Sequence, residues 1–241
     1  MMGQTHVLSG GVAWLAAAPL LSREELLGSH ALSLSSSQLI AGAVVAAGSG
    51  LLPDIDHPSG RIANTLGPLT KTLCRWVSRL SGGHRHATHS LLFAVAMGIL
   101  MGLLAEHFRY GWWAALFVLV GFGLRGLGLD FKGHDVWSGL KDCLTAGIAV
   151  YLMRDLDMGF AGYAVTIGAL AHLLGDCLTP RGCPLLWPVN WRMETVLVPR
   201  TNGTVERKVV VPVLFCAAVI LTTGTLVGDD PFLWFGRIPT G

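Results

Sequence analysis

FAGYAVTIGALAHLLGDCL, residues Phe160–Leu178, is an apolar stretch close to membrane-spanning length that carries a histidine and an aspartate near its end. A helix crossing a bilayer needs about 20 mostly apolar residues, so the segment reads as a transmembrane helix. Ionisable side chains are expensive at such a place and persist mainly where they pair, line water or hold a metal. His172 and Asp176 are four residues apart, which puts both on one helical face within reach of a single ion.

Outward from this stretch the apolar pattern repeats, at Val7–Leu21, Leu39–Leu52, Ser90–Ala105, Trp112–Leu124, Leu140–Met153 and Val209–Val227. The expectation is an all-α, polytopic membrane helical bundle of about seven transmembrane helices with short loops. No linker divides it, so residues 1–241 read as one domain. Composition agrees: 52% of the 241 residues are hydrophobic and only 13% are charged, against about 25% in a soluble domain. Mean hydropathy is +0.56. Several stretches fall short of a full span, which implies helices that run into polar residues at one end. The 31 glycines suit close helix contact in lipid. Val7–Leu21 resembles a signal peptide, but no Lys or Arg precedes Arg23, so the basic leader region is missing and it reads as a helix of the bundle. The five cysteines are odd in number and lack a C-x-x-C pair, which indicates reduced, mostly buried thiols.

The loops orient the bundle. With the N-terminus in the cytosol, thirteen Lys and Arg residues fall inside and four (Arg23, Arg109, Arg154, Arg237) outside, a positive-inside bias. The long basic loops Pro53–Thr88 and Thr179–Lys208 are then cytosolic. A net charge of +2 is too small to suggest nucleic acid.

In this topology four separate segments bring His or Asp to one depth on the cytosolic side: His6, the Asp54/Asp56/His57 group, His84 with His89, and His172 with Asp176. Imidazole nitrogen and carboxylate oxygen together suit zinc or a similar divalent ion. In LLPDIDHP (Leu51–Pro58) two carboxylates lie two residues apart between prolines. An extended turn would aim them differently, one at a metal and the other at a histidine or a proton. In GHRHATHSLL (Gly83–Leu92), His84 and His89 are five apart, so His84 belongs to the loop and His89 to the first turn of the following helix. Arg85 beside them suits an anionic oxygen of a substrate. His86 and Arg79 read as a basic collar at the lipid surface, His134 and Asp135 as an interfacial loop, and His30 and His107 as surface residues.

LLPDIDHP, GHR-x-x-THSLL and HLLGDCLTPRGCPLLWP together resemble the YdjM-like family of inner-membrane, metal-dependent hydrolases, in order over most of the chain. His86 stands where such proteins often carry glycine, and Leu124–Leu140 looks like an insertion. That family is in turn distantly similar to the all-helical zinc-dependent phospholipase C and single-strand nuclease group, whose sites use a helix-borne H-x-x-x-D. The resemblance implies metal ligation by His172 and Asp176, with His6, Asp54 or Asp56, and His89 completing the cluster.

The expected function is phosphoester hydrolysis by metal-activated water at the cytosolic face of an inner membrane, on a phospholipid or lipid-linked phosphate. Metal ligands are expected among His6, Asp54, His57, His84, His89, His172 and Asp176. Asp54 and Asp56 are expected to act on the reacting water, and Arg85 and Arg181 to hold phosphate. The alternative is a non-enzymatic transporter or metal sensor, which would show polar residues continuing across the spans. A zincin-type protease is disfavoured by the absence of H-E-x-x-H.

Overall fold

The computed structural model describes every residue except 61, 65–67, 130–135 and 228–241, and leaves out the side chains of 26, 30, 64, 68–69 and 136–139. The His134/Asp135 loop therefore lies outside the described residues, as does the side chain of His30. His107 is exposed, beside Glu106. Cys74, Cys177 and Cys183 are buried free thiols, whereas Cys143 and Cys216 are exposed.

Among the described residues the chain is helical and has no strand. The principal helices are α1 (Gly3–Leu21), α2 (Ser36–Ser49), α3 (Pro68–Leu80), α4 (Leu91–His107), α5 (Arg109–Leu127), α6 (Val136–Met153), α7 (Ala161–Cys177) and α8 (Val211–Val227). Each of the seven apolar stretches forms a helix. Among the described residues, however, only three helices are long and apolar enough to cross a membrane: Ser36–Asp56, Arg109–Leu127 and Glu206–Val227. The other four fall short for local reasons. α4 and α7 have 17 residues each, α1 begins with Gln4 and His6, and α6 carries Lys141 and Asp142.

α3 corrects the reading of Pro53–Thr88 as a loop. Its residues divide into three sectors at helical spacing. Thr70 and Cys74 are buried, Leu73, Trp76 and Leu80 are exposed, and Lys71, Arg75 and Arg79 form the remaining face. No apolar window marks such a helix, because polar residues interrupt its apolar ones along the chain; Leu73, Trp76, Val77 and Leu80 instead line a single stripe at helical spacing.

α7 occupies the centre, packed against α1, α2 and α4, and α1 and α2 pack against each other. Small residues permit that approach: a Cβ added at Gly168 on α7 would overlap the carbonyl of Ala46 on α2. The core is apolar, with Val7, Trp14, Val45, Ala46, Val165 and Ala169 all buried. α8 is largely exposed, as a lipid-facing helix would be.

Candidate metal centre

Four local features set the site. Ser35 caps α2 with a reciprocal Gln38 box, and after Gly50 a 3-10 turn over Leu52–Asp56 begins with Pro53, which suits a first-turn position. That turn, rather than an extended one, separates Asp54 from Asp56. Ser90 caps α4 by accepting from the Phe93 N–H at 3.1 Å, which holds His89 just before the helix, at the end of the 3-10 turn Ala87–His89. Gly82 and Gly83 take the positive φ values of 86° and 106° that their turn requires, and Arg85 follows at 62°. A left-handed conformation costs a non-glycine residue about 1–2 kcal/mol, and here it aims the Arg85 N–H at Asp56 Oδ2, 3.0 Å away. α7 supplies His172 and Asp176 from its last turns.

These elements converge. The Nε2 atoms of His89 and His172 lie 3.3 Å apart. Asp54 Oδ1 is 3.6 Å from the first and 3.8 Å from the second, and Asp176 Oδ2 is 3.8 Å from both. Tetrahedral bonds of about 2.0–2.1 Å place ligand atoms roughly 3.3–3.4 Å apart; the two imidazole nitrogens stand at that spacing, and His89, His172 and Asp176 offer ligand atoms that all lie within 4.8 Å of one another.

The second nitrogen of each ring is held as metal ligation requires. His172 Nδ1 is 2.7 Å from the Gly50 carbonyl, which accepts its hydrogen and leaves Nε2 with a free lone pair. His89 Nδ1 is 3.5 Å from Asp56 Oδ2 and 3.1 Å from Thr88 Oγ1. Burial opposes a charged His89, yet the carboxylates of Asp54 and Asp56 raise its pKa to about 9. A position that attracts a proton so strongly also attracts a cation.

Asp56 is fully buried and each of its oxygens is engaged. Oδ1 lies 2.8 Å from His84 Nδ1, and Oδ2 accepts from the Arg85 N–H and, at 2.6 Å, from the Thr88 hydroxyl. This is an orienting carboxylate.

His6 lies on the opposite side, its ring stacked 3.7 Å from that of His172 and its Nε2 3.3 Å from Asp176 Oδ1. Its Nδ1 is buried without a hydrogen-bond partner. A buried imidazole nitrogen left unpaired is costly, and it sits in a group with Asp54 and His172 spaced for a metal ion. His84 joins Asp54, Asp56 and His89 in another such group. His57 joins none among the described residues; its ring lies 4.5 Å from that of His84, and burial, then the neighbouring His84, lowers its pKa.

Arg85 differs most from expectation. It lines the cavity over the cluster, but its guanidinium is already engaged: Nη2 lies 2.6 Å from Asp176 Oδ2, Nη1 donates to Thr179 Oγ1 and the Gly182 carbonyl, and Nε is buried without a hydrogen-bond partner. Arg181 is exposed on that cavity of about 570 Å³, lined also by His6, Asp54, His57, His84 and Asp176. His86 is exposed.

Sequence reasoning missed Glu206. It is fully buried and accepts from the Met2 N–H, the Thr5 hydroxyl and the Asn202 N–H at 2.6–2.7 Å, tying the start of α1, and with it His6, to the turn before α8. Nothing in ERKVV sets this glutamate apart from an interfacial charge. Thr88 was legible within THS as a neighbour of His89; the Gly50 carbonyl has no side chain to signal it.

A family model described as YdjM inner membrane protein matches residues 1–131 and 142–228. Inner membrane protein YdjM of Escherichia coli (strain K12) is 30% identical over 158 residues, 65% of this chain and 55% of the relative, and the protein of that name from Shigella flexneri matches equally. The chain thus spans about half the length of the curated relatives it matches. No solved structure matches it.

Proposed function

The chain belongs to the YdjM inner membrane protein family, and from that premise we propose that it is a membrane-bound, metal-dependent hydrolase that cleaves a phosphoester of a phospholipid or lipid-linked phosphate. The observation that carries this reading is the convergence of the Nε2 atoms of His89 and His172 with carboxylate oxygens of Asp54 and Asp176, backed by acceptors on the second ring nitrogens. Two imidazoles and two carboxylates form a borderline-hard set that suits zinc.

An ion held by His89, His172, Asp54 and Asp176 would supply Lewis acidity and an activated water. The remaining work falls to the chain. Asp56 fixes His84 through Nδ1, leaving Nε2 of that ring as the proton carrier. Arg181 and Arg200, exposed on the same cavity, bind the phosphate oxygens. Arg85 holds Asp176 in place through Nη2. His6 completes the cage or serves a second ion.

The reading takes all seven apolar helices as membrane-embedded and the cluster as cytosolic, supported by the thirteen-to-four distribution of Lys and Arg. The transporter or sensor alternative is disfavoured because the core beyond the cluster, at Trp14, Val45 and Val165, is apolar.

The test is Asp176→Ala, assayed by elemental analysis and by a phospholipid and phosphodiester hydrolysis screen with and without chelator. Loss of both metal and chelator-sensitive hydrolysis is expected. Full metal occupancy in the variant would sink the assignment.

A further inference from the structure

A second cavity adjoins the first. It encloses about 700 Å³ and is lined by residues 199–205 together with Arg207 and Lys208. It shares Pro199, Arg200 and Thr201 with the cavity over the metal cluster, so the two adjoin along that segment. Asn202 and Arg207 also line a smaller space beside Met2 and Gln4.

Three cations, Arg200, Arg207 and Lys208, face this groove, and no acidic side chain lines it. Glu206, the carboxylate nearest in sequence, is turned into the core and engaged there by three donors. Among the described residues Arg200, Arg207, Lys208 and Arg181 take part in no ion pair or side-chain hydrogen bond. The groove is nonetheless built. The Asn202 N–H donates to Glu206 Oε2, the Gly203 N–H to the Arg200 carbonyl at 3.0 Å, and Asn202 adopts a positive φ of 59°, so the turn that aims these cations is fixed to the start of α1.

Depth supplies the second argument. Arg207 and Lys208 stand at the end of Glu206–Val227, one of the three helices able to cross a membrane. Cations at a span terminus lie at the level of lipid phosphates.

Resting on the hydrolase reading, we infer that the groove formed by Arg200, Arg207 and Lys208 takes a second phosphate of the substrate while the scissile one lies over the metal cluster. The substrate is therefore an amphiphile whose headgroup carries two phosphates. The two anion positions have separate cations, Arg181 on one side and Arg207 with Lys208 on the other, and Arg200 lies between them. Two linked phosphates engage both sets, and a single phosphate engages one.

The chain, as purified in neutral detergent, is titrated calorimetrically with inorganic pyrophosphate and with orthophosphate, beside Arg207→Ala/Lys208→Ala. The wild type is expected to bind pyrophosphate at least tenfold more tightly than orthophosphate. The double variant is expected to lose that preference while keeping wild-type metal content and thermal unfolding. Equal affinity of the wild type for the two anions, or undiminished pyrophosphate binding by the variant, overturns the inference. Farnesyl diphosphate in a third arm separates the sources of the headgroup: tighter binding than pyrophosphate indicates a lipid-linked ligand, and equal or weaker binding shows that the groove takes a soluble diphosphate and overturns the amphiphile. Selective pyrophosphate binding without any hydrolysis would leave the subsite standing and remove the hydrolase reading. Hydrolysis without the preference would do the reverse.

Discussion

Replacing Asp56 by Asn distinguishes an orienting carboxylate from a proton acceptor. Asp56 accepts from His84 at one oxygen and from the Arg85 N–H and Thr88 hydroxyl at the other. In the amide one of those positions becomes NH2, which cannot accept. Turning the nitrogen toward His84 retains the Oδ2 pair and forces His84 into its other tautomer, so the net loss is about one charge-assisted hydrogen bond, roughly 1.5–3 kcal/mol. In a chain of this size that lowers the unfolding midpoint by about 3–12 °C. The imidazole of His89 also loses part of the acceptor that backs its Nδ1, and such outer partners are worth about 10- to 100-fold in metal affinity. Thermal unfolding in detergent and a zinc competition titration measure the two effects. Zinc affinity within about twofold of wild type, together with lost hydrolysis, would refute the orienting role and make Asp56 the proton acceptor.

Three further outcomes are expected. Gly168→Ala forces α7 from α2 because the new Cβ meets the Ala46 carbonyl, and it should destabilise by about 1–3 kcal/mol; Gly147→Ala, with nothing near its Cβ, should stabilise by about 0.5–1 kcal/mol, both read by unfolding midpoints. Glu206→Ala strands the Met2 and Asn202 N–H groups and should cost about 2–4 kcal/mol, with partial rescue by Gln. Arg181→Ala should raise KM for a phosphoester about tenfold while leaving bound metal unchanged, as measured by steady-state kinetics and elemental analysis; an unchanged KM would remove Arg181 from phosphate binding.

The clustered residues were legible in the sequence because their chemistry is out of place there. His172 and Asp176 interrupt an apolar run, and Asp54, Asp56 and His89 stand where apolar runs begin or end. Partnerships set by backbone geometry were not legible. Arg85 reads as a free cation in GHRHATHS, and only the left-handed turn at residues 82–85 commits it to Asp176. α3 was hidden because the polar residues between Leu73, Trp76, Val77 and Leu80 leave no continuous apolar run, although those four line one stripe at helical spacing. Seven apolar stretches were correctly read as helices, but apolarity alone does not give span length, and α1, α4, α6 and α7 fall short.

X-ray absorption at the zinc edge on the purified chain and on His172→Ala tests the metal centre most directly. The account predicts stoichiometric zinc in the wild type, with histidine scattering and nitrogen and oxygen ligands at about 2.0–2.1 Å, and loss of that zinc in the variant. A wild-type chain that fails to retain zinc in chelator-free buffer, or a His172→Ala variant with an unaltered zinc spectrum, would contradict it.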